Sequence, residues 1–506
     1  MFSDKVAPEN LNTKRLDSDF YRPEYIAIDN TLSNLNCVKL GTIGKFFTGP
    51  FGSLLPSNLY LNEGIPLFRV GNVGQFEALS ENFAYLAPSV HEQLKVSEVL
   101  PGDLLLVKAS VGEKICKVPE WLPKANITQH IIGIRPNQSK DTDYISAFLF
   151  CYYGVGQLQR YSLGSIIQYL GITDAKGVNL YSPDPLVQKY IGDKVRQAEK
   201  LRALAKRLRT SVDDHLNSLN LPLNEPPALL NRVSTQTMED RLDPRPYRTH
   251  YLCLVSEIEK LPHDSISTLV ELASGCPVSS NDFLENSGIP LVRIRNIGFD
   301  DFIGLDTGVS QDVYQGATKY QAKEKMIVVG MDGIFRSQFF ISDELPMLVN
   351  QRVAMLSPQN IRGELLTHWL NRPEGQMQLN QWAVKTTVEH TSLSDIGRVL
   401  IPRLEKSLEN KLADYLLNAR LAYRYAKFLT QVAKTLVEAL IEGQLTERQL
   451  IETQQALEDG DNSLDQAILS KLSAEGYAIE GATPLFSDVD ELYSLLEDAA
   501  QAEAEE

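Results

Sequence analysis

Residues 404–445 read LEKSLENKLADYLLNARLAYRYAKFLTQVAKTLVEALIEGQL. Apolar or small side chains fall at Leu408, Leu412, Tyr415, Ala419, Ala422, Ala426, Leu429, Ala433, Leu436 and Leu440, in alternating steps of four and three. That is a heptad seam, the pattern of a long helix packed lengthwise on another. The expected partner is the stretch 187–219, with Leu201, Ala205, Leu208, Val212 and Leu219 at similar steps and His215 interrupting them. At 1.5 Å per residue such helices are rods of roughly 50 Å. Each follows a stretch of about 140–150 residues, which is domain-sized. Two readings stand: a two-helix spacer between two domains, favoured by the persistence of the second seam, or a pair of ordinary amphipathic core helices.

Outward from the seam, the chain repeats itself. RLDSDFYRPEY at 15–25 returns as RLDPRPYRTHY at 241–251, with six identical positions that include Arg15/Arg241, Asp17/Asp243, Tyr21/Tyr247 and Arg22/Arg248. GIPLFRVGNVG at 64–74 returns as GIPLVRIRNIG at 288–298. Gly156-Gln157 is matched with Gly375-Gln376, and Pro183 and Pro402 each precede a long helix. Each copy has the same coarse plan: an arm, a strand-rich region, a helix, loops, then the long helix. Strands are predicted at Ile65–Val70, Asp103–Lys108 and Ile131–Arg135, then at Ile289–Ile294, Lys325–Val329 and Arg352–Leu356. Helices are predicted near 143–160 and 363–371. Strands and helices on one core give an α+β domain.

The 506 residues allow about three domains, and 43% apolar content suffices for real cores. The N-terminus is polar from the start and the longest apolar run, Tyr144 to Val155, is too short to span a bilayer. The five cysteines are scattered, so no zinc site or disulfide framework is indicated. A soluble, reduced, cytoplasmic protein is expected. The net charge is −16, but 16 of the 65 acidic residues and only 2 of the 49 basic ones lie in residues 447–506. The body is therefore nearly neutral. Within it, Lys189, Lys194, Arg196, Lys200, Arg202, Lys206, Arg207 and Arg209 make the first long helix basic. They form either a solvated face or a surface near phosphates. The acidic end reads as a solubilising, partly disordered tail, or else as a docking segment that competes for the basic helix.

No catalytic constellation stands out. There is no phosphate-binding glycine loop, since Gly41 to Phe46 lacks the spacing and the Ser/Thr. His91-Glu92 has Lys95 where a zinc-protease motif needs histidine. Asn224-Glu225-Pro226-Pro227 is only superficially similar to the adenine-methyltransferase loop and lacks its aromatic residue.

With these residues together, the chain over about 1–446 resembles the specificity subunit of a type I restriction-modification system. The resemblance rests on the doubled Gly-Ile-Pro-Leu-x-Arg-x-x-Asn segments and on Gly102-Asp103-Leu104-Leu105. It also rests on Asn126-Ile127-Thr128-Gln129, Val349-Asn350-Gln351-Arg352 and the two Pro-then-long-helix junctions. It implies two duplicated α/β target recognition domains separated by a long antiparallel two-helix coiled-coil spacer, each reading half of a split asymmetric DNA site. It further implies a non-catalytic chain whose partners are double-stranded DNA, methyltransferase subunits and restriction/translocase subunits. S-adenosylmethionine, ATP and Mg would then sit on those partners. The expected division is arm 1–37, first reader 38–185, first spacer helix 186–222, linker and repeated arm 223–262, second reader 263–403, second spacer helix 404–446 and acidic tail 447–506. The tail lies outside the pattern and is expected to be dispensable for sequence choice. A fused restriction-methylation enzyme and an acidic DNA mimic are the alternatives.

Base edges are read by Arg, Lys, Asn, Gln and Ser/Thr side chains from loops. Candidates in the first half are Ser53, Arg69, Asn72, Lys108, Lys114, Gln129, His130 and Gln168. In the second half they are Ser279, Arg293, Arg295, Asn296, Arg336, Gln338, Arg352 and Lys385. Residues shared by both halves, such as Arg69/Arg293 and Asn72/Asn296, are expected to serve the fold. Lys114, Gln168, Arg336 and Gln338 differ between the halves and are the better choices for base reading.

Overall fold

The computed structural model describes residues 11, 15, 17–109, 111–112, 114–164, 169–223, 231–236, 238, 241–385 and 387–505, the Lys385 side chain excepted. The chain divides into two units, one formed by 1–201 with 425–505 and the other by 202–424. Both are mixed helix and strand.

In the first unit an antiparallel sheet runs in the order Gly44–Thr48, Ile131–Pro136, Leu104–Val107, Ile115–Lys117. Leu104–Val107 is buried at every position, as a continuous apolar run covered on both faces must be. A second sheet runs Ala84–Leu86, Ile65–Phe68, Ala125–Ile127, Glu98–Val99, and its central pair is parallel. The chain enters and leaves this domain through one short antiparallel pair, Cys37–Lys39 with Asn179–Tyr181. Helix Thr142–Phe150 begins at Asp141, whose carboxylate accepts the amides of Asp143 and Tyr144 at 3.0 and 2.9 Å, satisfying two orphan donors. The single helix expected near 143–160 is two, because Cys151 turns extended before Tyr152–Tyr161.

In the second unit the antiparallel sheet runs Val270–Ser274, Val353–Pro358, Ile327–Gly330, Ser337–Phe339. The second sheet runs Leu284–Glu285, Thr307–Val309, Ile289–Val292, Leu348–Val349, with the last pair parallel. The entry and exit pair is His263–Ser265 with Leu400–Pro402. Helices Gly363–Asn371 and Pro373–Trp382 follow the large sheet.

Matching bonds correct one expected register. Gly154 and Gly375 lie where a Cβ would strike the carbonyls of Phe148 and Trp369. Three residues on, Gln157 brackets Asn179 with both amide atoms, at 2.7 and 3.0 Å. Gln378 brackets Leu400 in the same way, at 2.7 and 2.9 Å. The counterpart of Gln157 is therefore Gln378, not Gln376. The repeated arms agree as well: the Tyr21 hydroxyl donates to the Arg15 carbonyl at 2.5 Å and that of Tyr247 to Arg241 at 2.7 Å.

The long helices are Pro185–Asn217 and Lys406–Ile441. In the second, the seam residues Leu412, Ala419, Ala422, Ala426, Leu429, Ala433 and Leu436 are buried. Burial is wider than a two-position seam, however, and takes in Ala413, Leu416, Val432, Val437 and Ala439. In the second unit Leu412, Ala413 and Leu416 share a core with Val212, Leu216 and Trp369, so domain side chains cover the helix beyond the seam. On the first helix His215 is exposed and Leu216 is buried. The apolar stripe is therefore not broken at His215 but continues one residue later.

The acidic end is folded, which corrects the expectation of partial disorder. Helices Glu447–Glu458, Ser463–Leu469 and Val489–Ala504 belong to the first unit. In these helices and the segment between the last two, the apolar residues Leu450, Leu469, Leu472, Phe486, Leu492 and Leu495 are buried. The first of these helices is closed by a capping box between Thr446 and Gln449. Acidic residues of this region meet the basic helix: Glu458 pairs with Lys189, Glu503 with Lys200 at 2.7 Å, and Asp465 with Lys194 at 2.6 Å. Arg196 is held by Asp141, Asp143 and Asp193, and Arg209 by Asp300. Arg202, Lys206 and Arg207 also have partners. The cations of this helix, read as either a solvated face or a surface near phosphates, are thus engaged within the chain.

Candidate nucleic-acid interface

In each unit the strand reading Ile-Pro-Leu ends in a braced loop. At its end the Arg69 amide donates to the Asn72 side-chain oxygen at 3.1 Å. The Asn72 amide donates to the carbonyls of Leu79 and Glu81 at 3.2 and 3.1 Å. In the second unit the Arg293 amide donates to Asn296 at 3.0 Å, and Asn296 reaches the carbonyls of Ile303 and Gly304. Both asparagines are buried. A buried amide that satisfies three backbone groups fixes a loop, so these are braces, as their occurrence in both halves led us to expect.

In the first unit the brace walls a cavity of about 540 Å³ lined by Pro50, Gly52, Leu55, Tyr60, Arg69, Asn72, Asn82, Thr128, Gln129 and His130, among others. Four sequence candidates, Arg69, Asn72, Gln129 and His130, therefore share one concavity. The Gln129 oxygen accepts the Gly52 amide at 3.3 Å, which places exposed Ser53 at the rim. Arg69 is turned onto the Asn82 carbonyl. Lys108 donates to Thr48 at 2.8 Å and lies 5.5 Å from the centre of the Tyr169 ring. Burial pushes its pKa down. Lys114 donates to the carbonyl of Val70, a lining residue, at 3.3 Å. Gln168 lies outside the described residues.

In the second unit Arg293 donates to Thr307 at 2.5 Å, and Arg295 is paired with Asp306. Arg336 lies 5.0 Å from the centre of the exposed Phe299 ring. Arg352 is largely exposed, 3.7 Å from Asp332, which also bonds His390 at 2.5 Å. Ser279 caps the turn Ser280–Asp282 and is exposed. Lys385 lies on the short strand Val384–Lys385. Gln338 is corrected here. It is 1% exposed, with its amide directed at the carbonyls of Gly298 and Phe299, so it holds the sheet to a loop and presents nothing to a base edge.

Sequence reasoning missed Phe51, which stands 75% exposed beside the first cavity, and Leu54, Phe299 and Ile334, also exposed. Apolar side chains between glycines in turn segments were the available signal at Phe51. His390 and Asp332 had none, because fifty-eight residues separate them. Among the described residues no cluster of His, Cys, Asp and Glu could hold a metal ion. No described helix is long and apolar enough to cross a membrane.

No family model matches the chain. No curated protein matches it in sequence. Among solved structures it is similar to the S subunit of a type I restriction-modification system from M. genitalium, at 15% identity and TM-score 0.44, over 80% of this chain and 96% of that one. It is also similar to the HsdS subunit from Thermoanaerobacter tengcongensis, at 13% identity and TM-score 0.29, over 81% and 97% of the two chains. A third similar chain comes from a structure of a type I R-M system addressing its complex assembly, at 14% identity and TM-score 0.29, over 81% and 98%. The solved structures that this chain resembles thus include type I restriction-modification S subunits, spanned over almost their whole length.

Proposed function

We propose that this chain is the DNA sequence-specificity subunit of a type I restriction-modification system, built from two duplicated target recognition domains. Each domain reads one half of a bipartite, asymmetric site, and the paired long helices set the distance between the halves. Methyltransferase subunits would supply S-adenosylmethionine and modify adenine. Restriction/translocase subunits would supply ATP-driven movement and cleavage with Mg.

One observation carries this reading. The same Arg–Asn brace fixes a loop in each unit, while the side chains around it differ. Gln129, His130 and Lys108 stand near the first brace; Arg336, Arg352 and His390 stand in the second unit. A constant frame with variable polar side chains is what two readers of different base sequences require. A split site also needs its two readers at a fixed separation and rotation.

The test is adenine methylation mapped across a genome, with and without this gene, beside a cognate methyltransferase gene. A bipartite methylated motif that vanishes with the gene is expected. The purified chain supplied with S-adenosylmethionine alone should neither methylate nor cut DNA, and methylation by the chain alone would refute the proposal.

A further inference from the structure

The second unit holds a cavity of about 740 Å³ lined by Arg241, Asp243, Arg245, Arg248, Val384 and Glu389. It belongs to the repeated arm and not to the braced loop. In the first half this arm reads RLDSDFYR, two arginines against two aspartates; in the second it reads RLDPRPYR, three arginines against one. The exchange at one position, Asp19 for Arg245, changes what the arm can hold. In the first unit Asp19 binds Arg22 at 2.9 Å, and the arm neutralises itself. In the second unit Asp243 is paired with Arg241, and Arg248, which is exposed, has no side-chain hydrogen bond or ion pair among the described residues. Arg241 is fixed by Asp243 through two bonds of 2.7 and 2.8 Å and by the Trp382 carbonyl. Arg245 is fixed by Glu389 at 3.0 Å, with its Nε buried and without an acceptor. The two carboxylates orient two guanidinium groups and still leave the cavity one positive charge in excess.

We propose that this cavity takes a phosphate of the DNA backbone, in contact with Arg245 and Arg248. Planar guanidinium groups match phosphate oxygens in pairs. The buried Arg245 Nε would gain the acceptor it lacks. The inference rests on the duplex-reading function proposed above and adds an anchor to the second reader that the first reader's arm does not have. Such an anchor sets position and affinity and leaves base choice untouched.

The test is binding of the full chain to fluorescent duplexes of different sequence across a KCl series. Arg248→Ala, at an exposed position, should fold normally, lower affinity equally for every duplex and reduce the slope of log K against log salt by about one. Arg245→Ala with Arg248→Ala should cost on the order of tenfold in affinity, and the double Lys variant should restore the slope. Glu389→Gln, which removes a competing carboxylate, should tighten binding. A wild-type slope in both alanine variants overturns the anchor and leaves the duplex-reading function standing. Absence of duplex binding by the wild-type chain overturns both. Stabilisation by inorganic phosphate in the wild type but not in Arg248→Ala, with an unchanged duplex slope, assigns the cavity to a small anion and overturns the DNA contact.

Discussion

Asp465 shows how much one side chain can hold. Both it and Lys194 are 1% exposed, and the hydroxyls of Tyr190 and Tyr493 each donate to its carboxylate at 2.5 Å. Burial alone would raise its pKa. The Lys194 ammonium and the two hydroxyls outweigh that and hold it below the ordinary aspartate value. A lowered folded pKa means stability that is present above the unfolded value of about 3.9 and lost as pH falls through the folded one. Acid titration followed by tyrosine fluorescence should therefore show the C-terminal helices loosening below about pH 4. Asp465→Asn should cost about 3–5 kcal/mol by leaving Lys194 buried and unpaired, and Lys194→Met in the same chain should recover part of that. Equal melting temperatures for wild type and Asp465→Asn would refute the account. Arg336 and Gln338 separate in the same spirit. Arg336→Ala should relax one half-site, with a discrimination loss of about 1–3 kcal/mol. Gln338→Ala should lower stability and leave the methylated bases as they were, because its amide is spent inside the fold.

Elements were legible in proportion to how local their signal was. Strands such as Leu104–Val107 and Ile289–Val292 came from short apolar runs, and both long helices came from periodicity with ends within about five residues. The braces at Asn72 and Asn296 were readable because the sequence repeats them. The break at Cys151 was not, since nothing in Phe150-Cys151-Tyr152 marks a helix end. The Gly-Gln match was misplaced by two residues because two dipeptides coincide, while the bonds to Asn179 and Leu400 pick Gln157 and Gln378. The seam itself carries a prediction. Seven residues inserted between Ala422 and Ala426 keep the helical phase of the stripe. Such a variant should change the gap between half-sites and leave both half-sites readable, as methylome sequencing would reveal. A change in the bases themselves would contradict two independent readers.

At the scale of the whole molecule, net charge misled. An acidic end with few basic residues has the composition of a solvated tail, yet apolar residues spaced along it, from Leu450 to Leu495, pack into the first unit. Truncation after Leu445 should therefore not be harmless. It uncovers Tyr190 and Tyr425, buried side chains that meet Asp465, Phe486 and Glu491 of the removed segment, and orphans Lys194. The truncated chain should melt well below the full one and be cut first within residues 1–201 by protease. The division of the chain also has a consequence in time. Lys194 and Asp465 are 271 residues apart, and a ribosome making about 5–20 residues per second needs roughly 15–50 s to cover that distance. Throughout that interval the second unit can finish folding while the first, begun earlier, still waits for its last three helices. Nascent chains stalled just after Arg424 should accordingly resist protease in the second half before the first, and that interval of synthesis is the window in which a chaperone would find the first unit exposed.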